Sequence, residues 1–132
     1  MHKIQLDEDK ICQVFVNVFL NSIQALPEGG TMTVRTYEKQ LTGIDIHEPY
    51  VKNGVFTAGE TVIVAEVEDM GTGIPDEQIT HVFDPFFTTK PIGEGTGLGL
   101  TVSRKIMESH GGQIDIMNRE EGGVKISAVF KM

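Results

Sequence analysis

Only one cysteine, Cys12, occurs among 132 residues. That excludes an internal disulfide and a cysteine-based zinc cluster. Lying in an apolar stretch, Cys12 is expected as a small buried hydrophobe. No apolar run approaches the ~20 residues that a membrane span needs. The segment Met1-His2-Lys3-Ile4-Gln5 lacks the apolar core of a signal peptide, and a cytosolic setting fits. Positive charge is scarce as well: 11 Lys and Arg stand against 19 Asp and Glu, for a formal net charge of -8. So acidic a chain is a poor candidate for nucleic-acid binding.

Three familiar phosphate-site signatures are missing. There is no G-x-x-x-x-G-K-[ST], no G-x-G-x-x-G set between a strand and a helix, and no kinase set of lysine strand, His-Arg-Asp loop and Asp-Phe-Gly.

What is present is Gly95-Thr96-Gly97-Leu98-Gly99-Leu100, followed at once by a helical pattern ending near His110. Glycines opening a helix let the backbone approach an anion. The helix start adds unpaired N–H groups and the positive end of a dipole, which together form a phosphate cradle. An acidic chain that holds a polyanion must gather positive charge locally or use Mg2+.

The remaining pattern places this run in a two-layer domain. Asp9–Leu26 has helical apolar spacing through Ile11, Val14, Phe15 and Val18, and Phe19, Leu20 and Ile23 widen the surface, so burial on most sides is expected. Asp7 or Asp9 is placed to cap it. Thr31–Tyr37 and Thr61–Asp69 read as strands, with a mixed, polar hairpin connection over 38–60 that leaves room for short strand extensions. A short helix is expected over Asp76–Val82, a functional loop or lid over Phe83–Gly97, and the last helix over Leu98–His110 with Gly111 at its end. Strands follow at Gln113–Arg119 and Val124–Lys131, joined through Glu120-Glu121-Gly122-Gly123. Strands reached through hairpins favour a mixed, mainly antiparallel sheet with helices on one face, an α+β two-layer sandwich.

Several side chains suit a nucleotide. Asn17 and Asn21 share a helix face and offer hard oxygen ligands for Mg2+, or else are ordinary surface or capping amides. Asp69 ends an apolar strand before Gly71 and Gly73; it suits an adenine amino group, or else simply closes a tight turn. Phe83 and Phe86 either pin the long loop to the core or touch ligand. Lys90 is the cation nearest the glycine run and suits phosphate, with a solvated surface lysine as the alternative.

Taken in order, these segments resemble the catalytic, ATP-binding domain of two-component sensor histidine kinases, within the Bergerat fold shared with gyrase and Hsp90. Gln13–Ala25 is similar to the N box and Asp69–Pro75 to the first glycine box. Phe83–Lys90 is similar to the F box, in the Phe-Phe-Thr-Thr-Lys form of nitrogen-regulation-type sensors, and Gly95–Leu100 to the second glycine box. The resemblance implies a single ATP-binding domain over residues 1–132, without the dimerization domain that carries the phosphoacceptor histidine. It implies ATP and Mg2+ as cofactors, with Asn21 as metal ligand and Asn17 close by. Asp69 would bind the adenine amino group beside Gly71, Gly73 and Ile74. Phe83, Lys90, Thr96, Gly97, Leu98, Gly99 and Leu100 would complete the ATP site. No catalytic residue is assigned within the chain: it would donate the γ-phosphoryl group to a histidine on the separate dimerization domain, with a response regulator as indirect partner.

Two departures matter. Gln24 stands where many members have lysine, which shifts phosphate neutralisation onto Lys90 and Mg2+. His47-Glu48-Pro49 lies in a connection rather than on a preceding helix and is read as coincidence. The rival functions are a gyrase- or Hsp90-type ATPase, a serine kinase of the anti-sigma type, and a nucleotide-binding module without chemistry. The first needs a glutamate base where Asn17 stands, and an amide cannot take a proton at neutral pH.

Overall fold

The computed structural model describes residues 6–26, 30–44, 56–87 and 99–132. In chain order it contains α1 (Glu8–Ala25), β1 (Met32–Gln40), β2 (Thr61–Asp69), α2 (Asp76–Ile79), α3 (Gly99–Ser109), β3 (Gln113–Asn118) and β4 (Val124–Lys131). The strands form one sheet in the order β1-β2-β4-β3, and every described pairing is antiparallel. The hairpins anticipated from the sequence therefore leave no parallel component among the described residues.

Strand alternation decides which residues meet the helices. Ala65 and Val67 of β2, Ile114 and Ile116 of β3, and Val124, Ile126, Ala128 and Phe130 of β4 pack with Ile11, Val14 and Val18 of α1 and Ile106 and Met107 of α3. The opposite face is not bare. Val62, Val64 and Val129 are covered there by Leu41 and Phe56, from the two ends of the 38–60 connection. That connection is partly strand: β1 continues to Gln40, paired with Thr61, beyond the expected end at Tyr37. Further along the same face the side chains turn polar. Glu66 accepts from the Tyr37 hydroxyl at 2.7 Å and lies 3.5 Å from Lys125, and Arg35 meets Glu68 at 3.0 Å.

α1 is capped by Asp7, whose carboxylate accepts the N–H of Lys10 at 3.2 Å. Burial on most sides does not hold for this helix. Val16, Leu20 and Ile23 are exposed, and so is Cys12, which is not the buried hydrophobe its neighbours suggested. The reason is geometric. One stripe of α1, at Ile11, Val14, Val18 and Ser22, is buried, and the side of the helix opposite that stripe points outward whatever the polarity of its residues. The neighbouring flank, at Asn17, meets α3 instead.

α3 ends in a Schellman arrangement. Gly112 N–H bonds to Met107 C=O at 2.9 Å, Gly111 N–H bonds to Glu108 C=O at 3.0 Å, and Gly111 has φ of +71°. A Cβ on Gly112 would sit 2.6 Å from Val129 C=O, so β4 can pass close beneath the turn only because that residue is glycine. His110, just inside the turn, joins the two helices. Its Nδ1 lies 2.8 Å from Ile106 C=O and its Nε2 accepts Asp7 N–H at 3.0 Å, which fixes the neutral Nδ1–H tautomer. The expected helix over Asp76–Val82 is shorter, ending at Ile79 before a series of turns.

Candidate functional site

Asp69 is the last residue of β2 and is 2 % exposed. Its Oδ1 accepts the N–H of Gly71 at 2.9 Å and that of Val124 at 3.2 Å. Among the described residues Oδ2 accepts nothing. A carboxylate held by backbone on one oxygen, with the other uncommitted, is poised to accept from a ligand N–H.

The segment after Asp69 is fitted closely into the protein. A Cβ at Gly71 would run into the Ala25 carbonyl at the end of α1, and one at Gly123 would run into the Asp69 carbonyl. Gly73 has φ of +78°, in the left-handed region that glycine enters freely. Ile74 is bound at both backbone groups by the side chain of Asn118, accepting at 2.8 Å and donating at 2.6 Å. Arg119 Nη1 donates to the Asp69 carbonyl at 2.9 Å.

The two asparagines of α1 differ. Asn17 Nδ2 donates to Gly99 C=O and to Ser103 Oγ, both at 3.2 Å, so it ties α1 to the first turn of α3. Ser103 in turn donates to the same carbonyl at 2.8 Å. Asn21 is half-buried, and its amide makes no hydrogen bond among the described residues. It stands one turn after Asn17, which touches Gly99, and one turn before Ala25, which touches Gly71. Its amide therefore lies on the flank of α1 between the aspartate loop and the start of α3. An uncommitted amide oxygen there fits a hard cation that keeps most of its waters. No group of three or more His, Cys, Asp or Glu able to hold a metal occurs among the described residues, so a cation here would lean on amide oxygens and on its ligand's own oxygens.

The phenylalanines of the 83–87 segment divide. Phe83 packs on the core, its carbonyl accepts from Thr101 Oγ1 at 2.8 Å, and the Arg104 guanidinium stacks 5.4 Å above its ring. Phe87 also packs on the core. Phe86, by contrast, is 72 % exposed and has φ of +65°, a strained setting for a bulky residue. Phe86 thus does not pin the loop to the core. Beside Phe83, a cavity of about 360 Å³ is lined by Arg104, Glu108, Gln113 and Asp115. Burial there pushes the Asp115 carboxyl above its ordinary value, against the opposing pull of an Ile116 backbone hydrogen bond and Arg104.

Among the anticipated site residues, then, Asp69, Gly71, Gly73 and Ile74 form one loop, with Asn17, Asn21, Gly99 and Leu100 along the facing helix flanks. Leu100 packs partly on the core. Lys90, Thr96, Gly97 and Leu98, and the His47-Glu48-Pro49 segment, lie outside the described residues. Asn118, Arg119, Ser103 and Gly123 carried no motif in the sequence. A polar pair closing a strand before a Gly-Gly turn was the only sign of the first two.

Comparison with known proteins follows the same outline. Residues 6–132 match the family described as histidine kinase-, DNA gyrase B-, and HSP90-like ATPase. The chain is 36% identical over 123 residues to the sensor histidine kinase ZraS of Salmonella typhi, covering 93% of this chain and 22% of that protein. It is 39% identical over 111 residues to the sensor kinase CckA of Brucella abortus, covering 84% of this chain and 11% of that one. The chain thus spans less than a quarter of either relative. A nucleotide-free structure of the catalytic domain of histidine kinase ThkA superposes with a TM-score of 0.70 at 32% identity, covering 97% of this chain and 70% of that one. No described helix is long and apolar enough to cross a membrane.

Proposed function

This chain belongs to the family of histidine kinase-, DNA gyrase B- and HSP90-like ATPases, and from that premise we propose that it is the catalytic domain of a protein-histidine kinase. It binds Mg-ATP and presents the γ-phosphoryl group to a histidine on a separate dimerization domain, with a response regulator downstream. The observation that carries the reading is Asp69: buried, held by two backbone N–H groups on Oδ1, and with no partner for Oδ2 among the described residues, beside Gly71 and Gly73.

Each residue has a role in that reading. Asp69 accepts the exocyclic amino group of adenine. Gly71, Gly73 and Ile74 line the base. Asn21, with Asn17 one turn away, would hold Mg2+, which supplies charge neutralisation to the phosphates. Lys90 and the backbone of Gly97, Leu98 and Gly99 hold the phosphate oxygens, with Phe83, Thr96 and Leu100 flanking them. Phosphoryl transfer needs mainly positioning and charge neutralisation, so a domain with no nucleophile of its own is sufficient for the donor half. Hydrolysis by water is disfavoured, because both Nδ2 bonds of Asn17 are spent on α3 and an amide does not accept a proton. The Phe-Phe-Thr-Thr-Lys form of Phe86–Lys90 supports a nitrogen-regulation-type sensor, working in the cytoplasm.

Calorimetry with ATP, with and without Mg2+, tests the site. Asp69→Asn keeps an oxygen for Gly71 and Val124 but turns an NH2 toward the adenine amino group, and it should cost about 1–3 kcal/mol of binding. Asn21→Ala should remove most of the Mg2+-dependent increment. Unchanged affinity in both variants would refute the assignment. With labelled ATP the chain alone should not become phosphorylated, whereas a histidine-bearing dimerization domain added in trans should.

A further inference from the structure

We propose that Asn118 is a positioning residue for the purine base, setting its discrimination through the shape of the Gly71–Pro75 loop. The inference rests on the nucleotide-binding reading of Asp69 and concerns what holds that site in register.

The loop has no regular structure of its own. At its start Gly71 N–H is held by Asp69 Oδ1. At its end Pro75 leads into α2 and has no N–H to give. Between them the backbone must be fixed from outside, and Asn118 does so from the end of β3, 44 residues away. Its Oδ1 accepts Ile74 N–H at 2.8 Å and its Nδ2 donates to Ile74 C=O at 2.6 Å. The side-chain amide thus presents a donor and an acceptor as a neighbouring strand's peptide groups would. Ile74 has both backbone groups satisfied, and its side chain packs on the core. Gly73 completes the fit: its φ is +78°, and a Cβ there would lie 3.0 Å from Asn118 Oδ1. The next residue, Arg119, holds the Asp69 carbonyl at 2.9 Å. Two consecutive side chains of one hairpin therefore fix the strand end that carries the carboxylate and the loop against which a base lies.

Asp69 can favour adenine, which offers an amino donor, over guanine, which offers a carbonyl oxygen there, only while the base is held in one register. Releasing Ile74 should loosen that register without touching the phosphate side of the site.

The test compares wild type with Asn118→Ala by calorimetry with ADP, GDP and Mg-ATP, alongside amide hydrogen exchange in the free protein. Losing both bonds should weaken ADP about tenfold and narrow the ADP-to-GDP preference. The ratio of Mg-ATP to ADP affinity should stay as in wild type. Ile74 N–H should exchange faster, while Gly71 N–H, held by Asp69, keeps its protection. If Asn118→Ala does not fold, Asn118→Asp carries the nucleotide arm of the test alone: it keeps the acceptor for Ile74 N–H, so exchange there is not its readout, and sets an oxygen against Ile74 C=O. ADP binding equal to wild type overturns the proposal, as does an equal loss for ADP and GDP or, in Asn118→Ala, unchanged exchange at Ile74. A wild type that binds no ADP, or binds it equally after Asp69→Asn, overturns the nucleotide site itself and this role with it. Binding that responds to Asp69→Asn but not to Asn118→Ala overturns the positioning role alone.

Discussion

Asn17 and Gly99 are joined by a 3.2 Å hydrogen bond from the Asn17 amide to the Gly99 carbonyl, across a sequence separation of 82 residues. The same amide reaches Ser103 Oγ. The helix preceding the aspartate strand therefore holds the first turn of α3 directly, and the two flanks of the proposed site are one mechanical unit. Asn17→Ala should cost about 1 kcal/mol of stability. Asn17→Asp should cost more, since a carboxylate cannot donate and would face a carbonyl oxygen. Urea unfolding of the three proteins should give that order.

Gly123 and Gly122 separate two effects usually mixed. Both have positive φ, at +86° and +102°. A Cβ on Gly122 meets nothing within 4 Å, whereas one on Gly123 would run into the Asp69 carbonyl. Gly122→Ala should show backbone strain alone, about 1 kcal/mol. Gly123→Ala should lose more than that and also weaken ADP binding, because Asp69 must move. Thermal melts paired with ADP titrations would show whether only the second variant does both.

Asp115 should set a pH dependence of stability. Burial raises its carboxyl pKa in the folded protein above the ordinary 3.8, so the folded state holds this proton more tightly than the unfolded chain does. Its contribution is then most favourable at low pH and is lost as pH rises through the interval between 3.8 and the raised value. Asp115→Asn should accordingly raise the melting temperature near neutral pH and change it little below that interval. A melting-temperature profile against pH for the two proteins reads this directly.

Cys12 should be nearly silent. It lies exposed on the outer side of α1, and Cys12→Ser should shift stability by less than about 0.5 kcal/mol. In the unfolded-state-free test, a thiol reagent should label it in the native protein without denaturant.

The element boundaries were largely legible because periodicity and caps are local. β2 and β4 run over the expected residues, Thr61–Asp69 and Val124–Lys131, and α3 ends where Gly111 adopts its left-handed turn. α1 shows the limit of the same signal. Val16, Leu20 and Ile23 are as apolar as Val14 and Val18, yet only the latter pair meets the sheet. Hydrophobicity marks that a helix has a face to bury; the neighbours in space select which one. The region over 38–60 shows the converse. Leu41 and Phe56 looked like residues of a polar connection, and they close a second apolar cluster on the back of the sheet.

By itself the sequence determined the family, the order of the elements and the chemical type of the carboxylate proposed to bind the base, since each depends on residue identity and short spacing. Tertiary structure alone decided that Asn17 spends its amide on α3, that Asn118 and Arg119 hold the Asp69–Ile74 segment, and that among the described residues only one oxygen of Asp69 is committed. Those facts depend on which hydrogen-bonding groups meet across 44 to 82 residues of chain. Backbone donors and acceptors are the same at nearly every position, so the chain folding back on itself, and not the residue type, determines which of them a side chain finds.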